Sequence, residues 1–114
     1  MISLGFIDGN VTHDDLSILQ DVAMEKQAHL LKEDMLQVEY AGGLLLDVGW
    51  YPSFDTHGGF RINVIKNYDW DCPVIALTAH ATGDLVEQLV VAQGAINGEL
   101  RNVLRTLAYI IGWT

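Results

Sequence analysis

A chain of 114 residues, half of them hydrophobic and 18% charged, is long enough to bury one core and too apolar to remain disordered. Fifteen acids against six bases leave a formal charge of −9. That balance argues against binding nucleic acid or an anionic membrane, because phosphate contacts need Lys and Arg, and it suits a basic protein partner or solubility alone.

Residues 2–7 alternate weakly and read as a short strand or a packed N-terminal arm, followed by the turn residues Asp8-Gly9-Asn10. Thr12 before His13-Asp14-Asp15 has the look of an N-cap with acids in the first helical turn. From there to about Asp34 the spacing predicts a helix. Leu16, Leu19, Ala23 and Leu30 fall on one face, and Asp14, Asp21 and Glu25 form an acidic stripe opposite. Leu36, Val38 and Tyr40 then alternate with Gln37 and Glu39 as an edge or entry strand would, and Gly42-Gly43 permits a tight turn.

The clearest signal spans about 43–66. Two runs of period two flank a segment, Pro52 to Gly59, that is rich in turn formers, which predicts a long-looped β-hairpin. Leu44, Leu46, Val48 and Trp50 would share a strongly apolar face with Phe60, Ile62 and Val64, while Leu45, Asp47, Gly49, Tyr51, Arg61, Asn63 and Ile65 point the other way and make a mixed face. One face therefore needs a helical layer and the other tolerates water.

Asn67 to Pro73 reads as a polar, aromatic loop before a further short strand at Val74 to Thr78. Asp84 and Glu87 have capping-box spacing in front of a helix that Gly94 would end. Asn97 or Gly98 would open another, closed by Gly112, with Arg101 and Arg105 on its outer side. The expected fold is a single α+β domain over residues 1–114. Its antiparallel sheet would have three to four strands, packed against an N-terminal helix and two C-terminal helices.

Candidate chemistry is sparse. Asp55, Thr56 and His57 are acid/base or ligand types in a loop, but they are also ordinary turn residues, and the turn reading is the simpler. His13-Asp14-Asp15 and Asp69-Trp70-Asp71-Cys72 match neither a zinc spacing nor a calcium loop. Cys72 has no basic neighbour and reads as a small packed residue, and His80 as a partly buried histidine. The paired glycines lack the context of a phosphate-binding loop, and no nucleophile motif occurs. No catalytic residue, metal or cofactor is expected.

Acidity is uneven: residues 1–58 carry ten acids and two bases, and residues 59–114 five and four. Aromatics on or beside the hairpin, next to Asp47, Asp55, Asp69 and Asp71, are the ingredients of an interface with aromatic anchors and an acidic rim. Trp50 and Trp70 have the competing reading of core residues.

Leu-Leu-Leu-Asp-Val-Gly-Trp-Tyr-Pro (44–52), Gly-Phe-Arg-Ile (59–62) and Asp-Trp-Asp-Cys-Pro (69–73) together resemble small bacterial immunity proteins of polymorphic-toxin and contact-dependent growth inhibition systems. The likeness covers about residues 43–92. It implies a cytosolic protein that binds one cognate toxin domain and blocks it, the toxin often being a nuclease with a cationic cleft. The start of the chain lacks the basic region of a secretory signal, which gives the same expected address. Partner contacts are expected at Asp14, Asp21, Glu25, Asp47 and Asp55, with Tyr51 and Phe54 as aromatic contacts. The alternatives are a non-inhibitory interaction module or homodimeric adaptor and, with less support, a small hydrolase built on His57.

Overall fold

The structure, a computed structural model, describes residues 1–112. Its centre is an antiparallel meander of five strands, β1 (Asn10–Asp14), β2 (Leu36–Glu39), β3 (Leu44–Tyr51), β4 (Gly59–Lys66) and β5 (Ile75–Ala79), lying side by side in chain order. One helix, α1 (Thr82–Ile110), returns across β4 and β5. The α+β class is as expected. The sheet is one strand wider than expected, and the helical content is arranged differently.

The hairpin forms as its alternation dictates. Leu44 faces Lys66 at one end of the β3–β4 ladder and Tyr51 faces Gly59 at the other, without a slip. Leu44, Leu46, Val48, Trp50, Phe60, Ile62 and Val64 all lie in the core. The Trp50 and Phe60 rings meet edge to face with centroids 4.8 Å apart, a geometry that adds roughly 0.5–1.5 kcal/mol beyond area burial. Trp50 also donates its indole N–H to the Asp55 carbonyl at 2.7 Å, so the largest core side chain anchors the hairpin loop.

The predicted N-terminal helix is absent. Thr12, expected to cap it, lies inside β1, where its hydroxyl donates to the Gln37 carbonyl. Asp14 ends the strand and caps a single turn, its carboxylate accepting the N–H groups of Leu16 and Ser17 and the Ser17 hydroxyl. Met24–Leu30 is only a 3-10 segment, broken at Gln27 (φ −134°). Buried Gln27 exchanges bonds with the backbone of Gln20 and Val22, which gives that backbone partners other than a helical ladder. Leu16 and Leu19 are buried as their spacing suggested, while Ala23 is exposed. Residues 2–7 form no strand; they pack as an arm, with Ile2, Leu4, Phe6 and Ile7 against the core.

The two predicted C-terminal helices are one. Gly94 and Gly98 sit inside α1, and the side-chain bond from Gln93 to Asn97 spans the expected break. With no proline present, two glycines weaken a helix by about 1 kcal/mol each without ending it. Asp84 is not the N-cap, since the helix begins two residues earlier. Its carboxylate reaches back to accept the N–H groups of Ala81 and His80. At roughly 1.5 Å per residue, the 29-residue helix outruns the sheet, and Leu107, Ile110 and Ile111 are exposed on its far end. His80 and Cys72, expected to be partly buried and packed, are both exposed, and Trp70 is half exposed.

Candidate partner-binding face

Among the described residues α1 covers β4 and β5 on one face of the sheet, and no α-helix covers the other. Ladder register places His13, Gln37, Asp47 and Asn63 in one row across β1 to β4, with Arg61 and Thr78 in a parallel row nearer the hairpin loop. At the other corner of this face, Leu45 and the aromatic pair Tyr68 and Trp70 line a cavity of about 280 Å³.

Asp47 is the unusual member of the first row. It is only 8% exposed, and its carboxylate accepts one bond from the Gln37 amide at 3.3 Å. Burial pushes its carboxyl above the ordinary range, the Gln37 bond opposes this, and the charge of Asp34 adds to the rise. Asp34 comes close because residues 32–35 run against β3, with Trp50 N–H donating to the Lys32 carbonyl and Met35 N–H to the Val48 carbonyl. Gly49 permits that approach. A Cβ there would stand 1.9 Å from the Glu33 carbonyl oxygen, so any larger residue forces that backbone aside.

Tyr51 lies half-buried beside this group. Burial raises its phenol, and Asp47, Glu33 and Asp34 raise it further against the opposing charge of Arg61. The Arg61 guanidinium stacks 4.6 Å from the ring centroid, which holds this basic side chain against the aromatic. Phe54 follows in the loop with φ 64°, a left-handed conformation uncommon outside glycine, and is 60% exposed. Its N–H donates to the Leu31 carbonyl, which fixes the loop beside the Glu33–Asp34 stretch. Asp55, next in sequence, accepts from His57 N–H at 2.9 Å.

Of the seven residues expected to meet a partner, Tyr51, Phe54 and Asp55 lie at the loop end of the hairpin, and Asp47, midway along β3, is close enough for its charge to act on Tyr51. The other three do not form a stripe, because there is no helix to align them. Burial is the largest single influence on the Asp14 carboxyl and raises it, but the bonds from the Ser17 N–H, the Ser17 hydroxyl and the Leu16 N–H together outweigh it and keep the carboxyl below the ordinary range. Asp21 accepts from the Thr82 hydroxyl at 2.8 Å, on the α1 side, and Glu25 is exposed on the 3-10 segment. Glu33 and Asp34 join the group instead. The only sequence signal for them was an acid pair beside a strand, and the helical reading of 12–34 concealed it. Asp15 extends the acidity along the edge, bonded to Lys32 at 2.6 Å and to His13 at 3.3 Å.

Chemically, the arrangement offers recognition more readily than turnover. His57 is 95% exposed and stands 3.5 Å from the Asp55 carboxylate, with nothing around it to exclude water. Among the described residues no three His, Cys, Asp or Glu side chains converge to hold a metal ion. No helix among them is long and apolar enough to cross a membrane. Comparison with protein-family profiles, curated proteins and solved structures finds no match to this chain.

Proposed function

We propose that the chain is a binding protein that neutralises a basic partner, as an immunity protein does for its cognate toxin domain, with a nuclease as the favoured toxin and the cytosol as the site of action. The observation that carries this reading is Phe54, a large apolar side chain 60% exposed in a left-handed conformation, next in sequence to Asp55 and tied through the Leu31 carbonyl to the chain that leads into Glu33 and Asp34, whose charges with that of Asp47 act on nearby Tyr51. Exposed aromatics with a charged rim are the usual anchors of protein interfaces, and a backbone held off its preferred conformation is characteristic of binding sites. Carboxylates around the anchor steer a cationic cleft into the complex and occupy the place of the phosphates it would otherwise hold. The function proposed is inhibition by binding, without catalysis.

The test is co-expression with a toxin domain encoded immediately upstream, scoring growth and co-purification. Rescue with a stable complex supports the proposal, and failure of both sinks it. Phe54→Ala and the reversal of Glu33, Asp34 and Asp55 to Lys should each abolish rescue. Reversal of Asp14, Asp21 and Glu25 should slow association only modestly, and the opposite ranking would move the site to the N-terminal segment.

A further inference from the structure

The solvent face of α1 has a pattern that neither the core nor the proposed partner site uses. On this face the acids Asp84 and Glu87 stand in the first half and the bases Arg101 and Arg105 in the second, while the remaining acid of the second half, Glu99, turns toward the sheet and pairs with Lys66 at 3.4 Å. Between them Val90 and Val91 are 54% and 49% exposed, and farther on Leu104 is 65% exposed. A lone solvated helix gains nothing from such large apolar groups on its outer side. Gly94 lies midway, and a Cβ added there would meet no atom within 4 Å.

The order is symmetric about that glycine. Glu87 and Arg101 stand seven residues to either side of it, and Asp84 and Leu104 ten to either side. At 1.5 Å per residue these are roughly 10 and 15 Å from the midpoint. An antiparallel copy of the same helix, crossed at Gly94, therefore sets each Glu87 against the other copy's Arg101. Arg105 then comes beside Asp84, and Val90 and Val91 lie over the other copy's Asn97 and Gly98. Leu104 of each chain comes alongside the start of the other α1, where Ile2, Thr82, Gly83 and Val86 line an open cavity of about 280 Å³. A parallel pairing would set acid on acid and base on base. The complementarity is thus of the face with itself, which a two-fold dimer requires and an unrelated partner does not.

We propose that the outer face of α1 is a self-association surface whose occupant is a second copy of this chain, paired antiparallel about Gly94. The contact is narrow, one helix wide, so the dimer is weak and dilution separates it. The sheet face that carries Asp47 and Tyr51 lies on the other side of the sheet from α1, so a dimer leaves both copies of that face open. The inference does not depend on what that site binds.

Sedimentation equilibrium of the full chain across a concentration series provides the test. The expected result is a monomer–dimer equilibrium between 12.6 kDa and twice that mass. Glu87→Arg alone and Arg101→Glu alone should each weaken it by at least about tenfold, as loss of a close interfacial charge pair does. Combining the two reversals in one chain should restore dimerisation, which a general effect of charge or folding would not do. Gly94→Leu, at a position where the monomer has free space, should abolish the dimer with an unchanged circular dichroism spectrum. A chain that remains monomeric at every concentration overturns the proposal. So does a dimer indifferent to Gly94→Leu, or one that the double reversal fails to restore.

Discussion

The hairpin and the segment before it have comparable sequence signals and opposite outcomes. Between Gly43 and Lys66 the apolar residues recur every second position, and each is locked by a partner across the ladder, so a slip by one residue would turn the whole core face to water. Between Asp15 and Met35 the apolar residues recur at helical spacing, yet the chain runs through a capped turn and a broken 3-10 segment. Burial of Leu16, Leu19, Met24 and Leu31 is satisfied there without a helix. Periodicity states which residues go inward. It fixes the backbone only where neighbouring strands also demand that register.

The sharpest way to break the hairpin is Trp50→Ala. It removes the largest fully buried side chain, the edge-to-face contact with Phe60 and the indole bond to the Asp55 carbonyl. Loss of about 3–5 kcal/mol is expected, enough to unfold much of the chain at ambient temperature. Urea denaturation followed by far-ultraviolet circular dichroism measures it, and a cost below about 1 kcal/mol would show that the hairpin is not the nucleus of stability.

Gly49→Ala attacks the seam between the two regions. The added methyl would displace the Glu33 carbonyl, at a cost of about 1–3 kcal/mol as overpacking usually exacts. The residues on the 31–35 side should lose hydrogen-exchange protection before the β3–β4 ladder does. Equal loss in both would mean that the two regions open together.

Much of this was written in the sequence and some was not, for physical reasons. The hairpin, its apolar face, the following strand and the aromatic-acidic character of its loop end follow from alternation and turn chemistry. The five-strand width did not, because β1 is exposed along most of its length and carries a bulge between Val11 and His13, so its alternation is faint. The long α1 was obscured by Gly94 and Gly98, which resemble stops when only local propensity is weighed. The acidic group near Tyr51 needed tertiary proximity, since Glu33 and Asp34 approach it only through the pairing of residues 32–35 with β3.

Gln27→Leu tests the N-terminal segment by itself. It preserves apolar bulk but strips three bonds from the backbone of Gln20 and Val22, leaving those groups to find water. A cost of about 1–3 kcal/mol confined to residues 18–30 is expected, read as faster amide exchange there with the hairpin unchanged. If the variant is as stable as the parent, apolar burial alone shapes that segment.

The smallest expected effect concerns Asp47, and its sign is the informative part. Burial and Asp34 hold its carboxyl above 3.8, the ordinary value, so the folded chain binds a proton more tightly than the unfolded chain does. Between the unfolded and the folded pKa the native state carries more protons, and stability there falls as pH rises. Above both, the buried charge is a standing cost of folding. Asp47→Asn keeps the shape and can still hydrogen-bond Gln37, so it should stabilise the protein at pH 7 by on the order of 1 kcal/mol and lose that advantage in acid. Thermal melts of both chains from pH 3 to pH 7 provide the comparison. A variant less stable at neutral pH would show that the carboxylate is held by favourable contacts. If Asp47→Asn instead stabilises the chain while weakening its complex with the basic partner, the charge is retained at the expense of folding for the sake of binding.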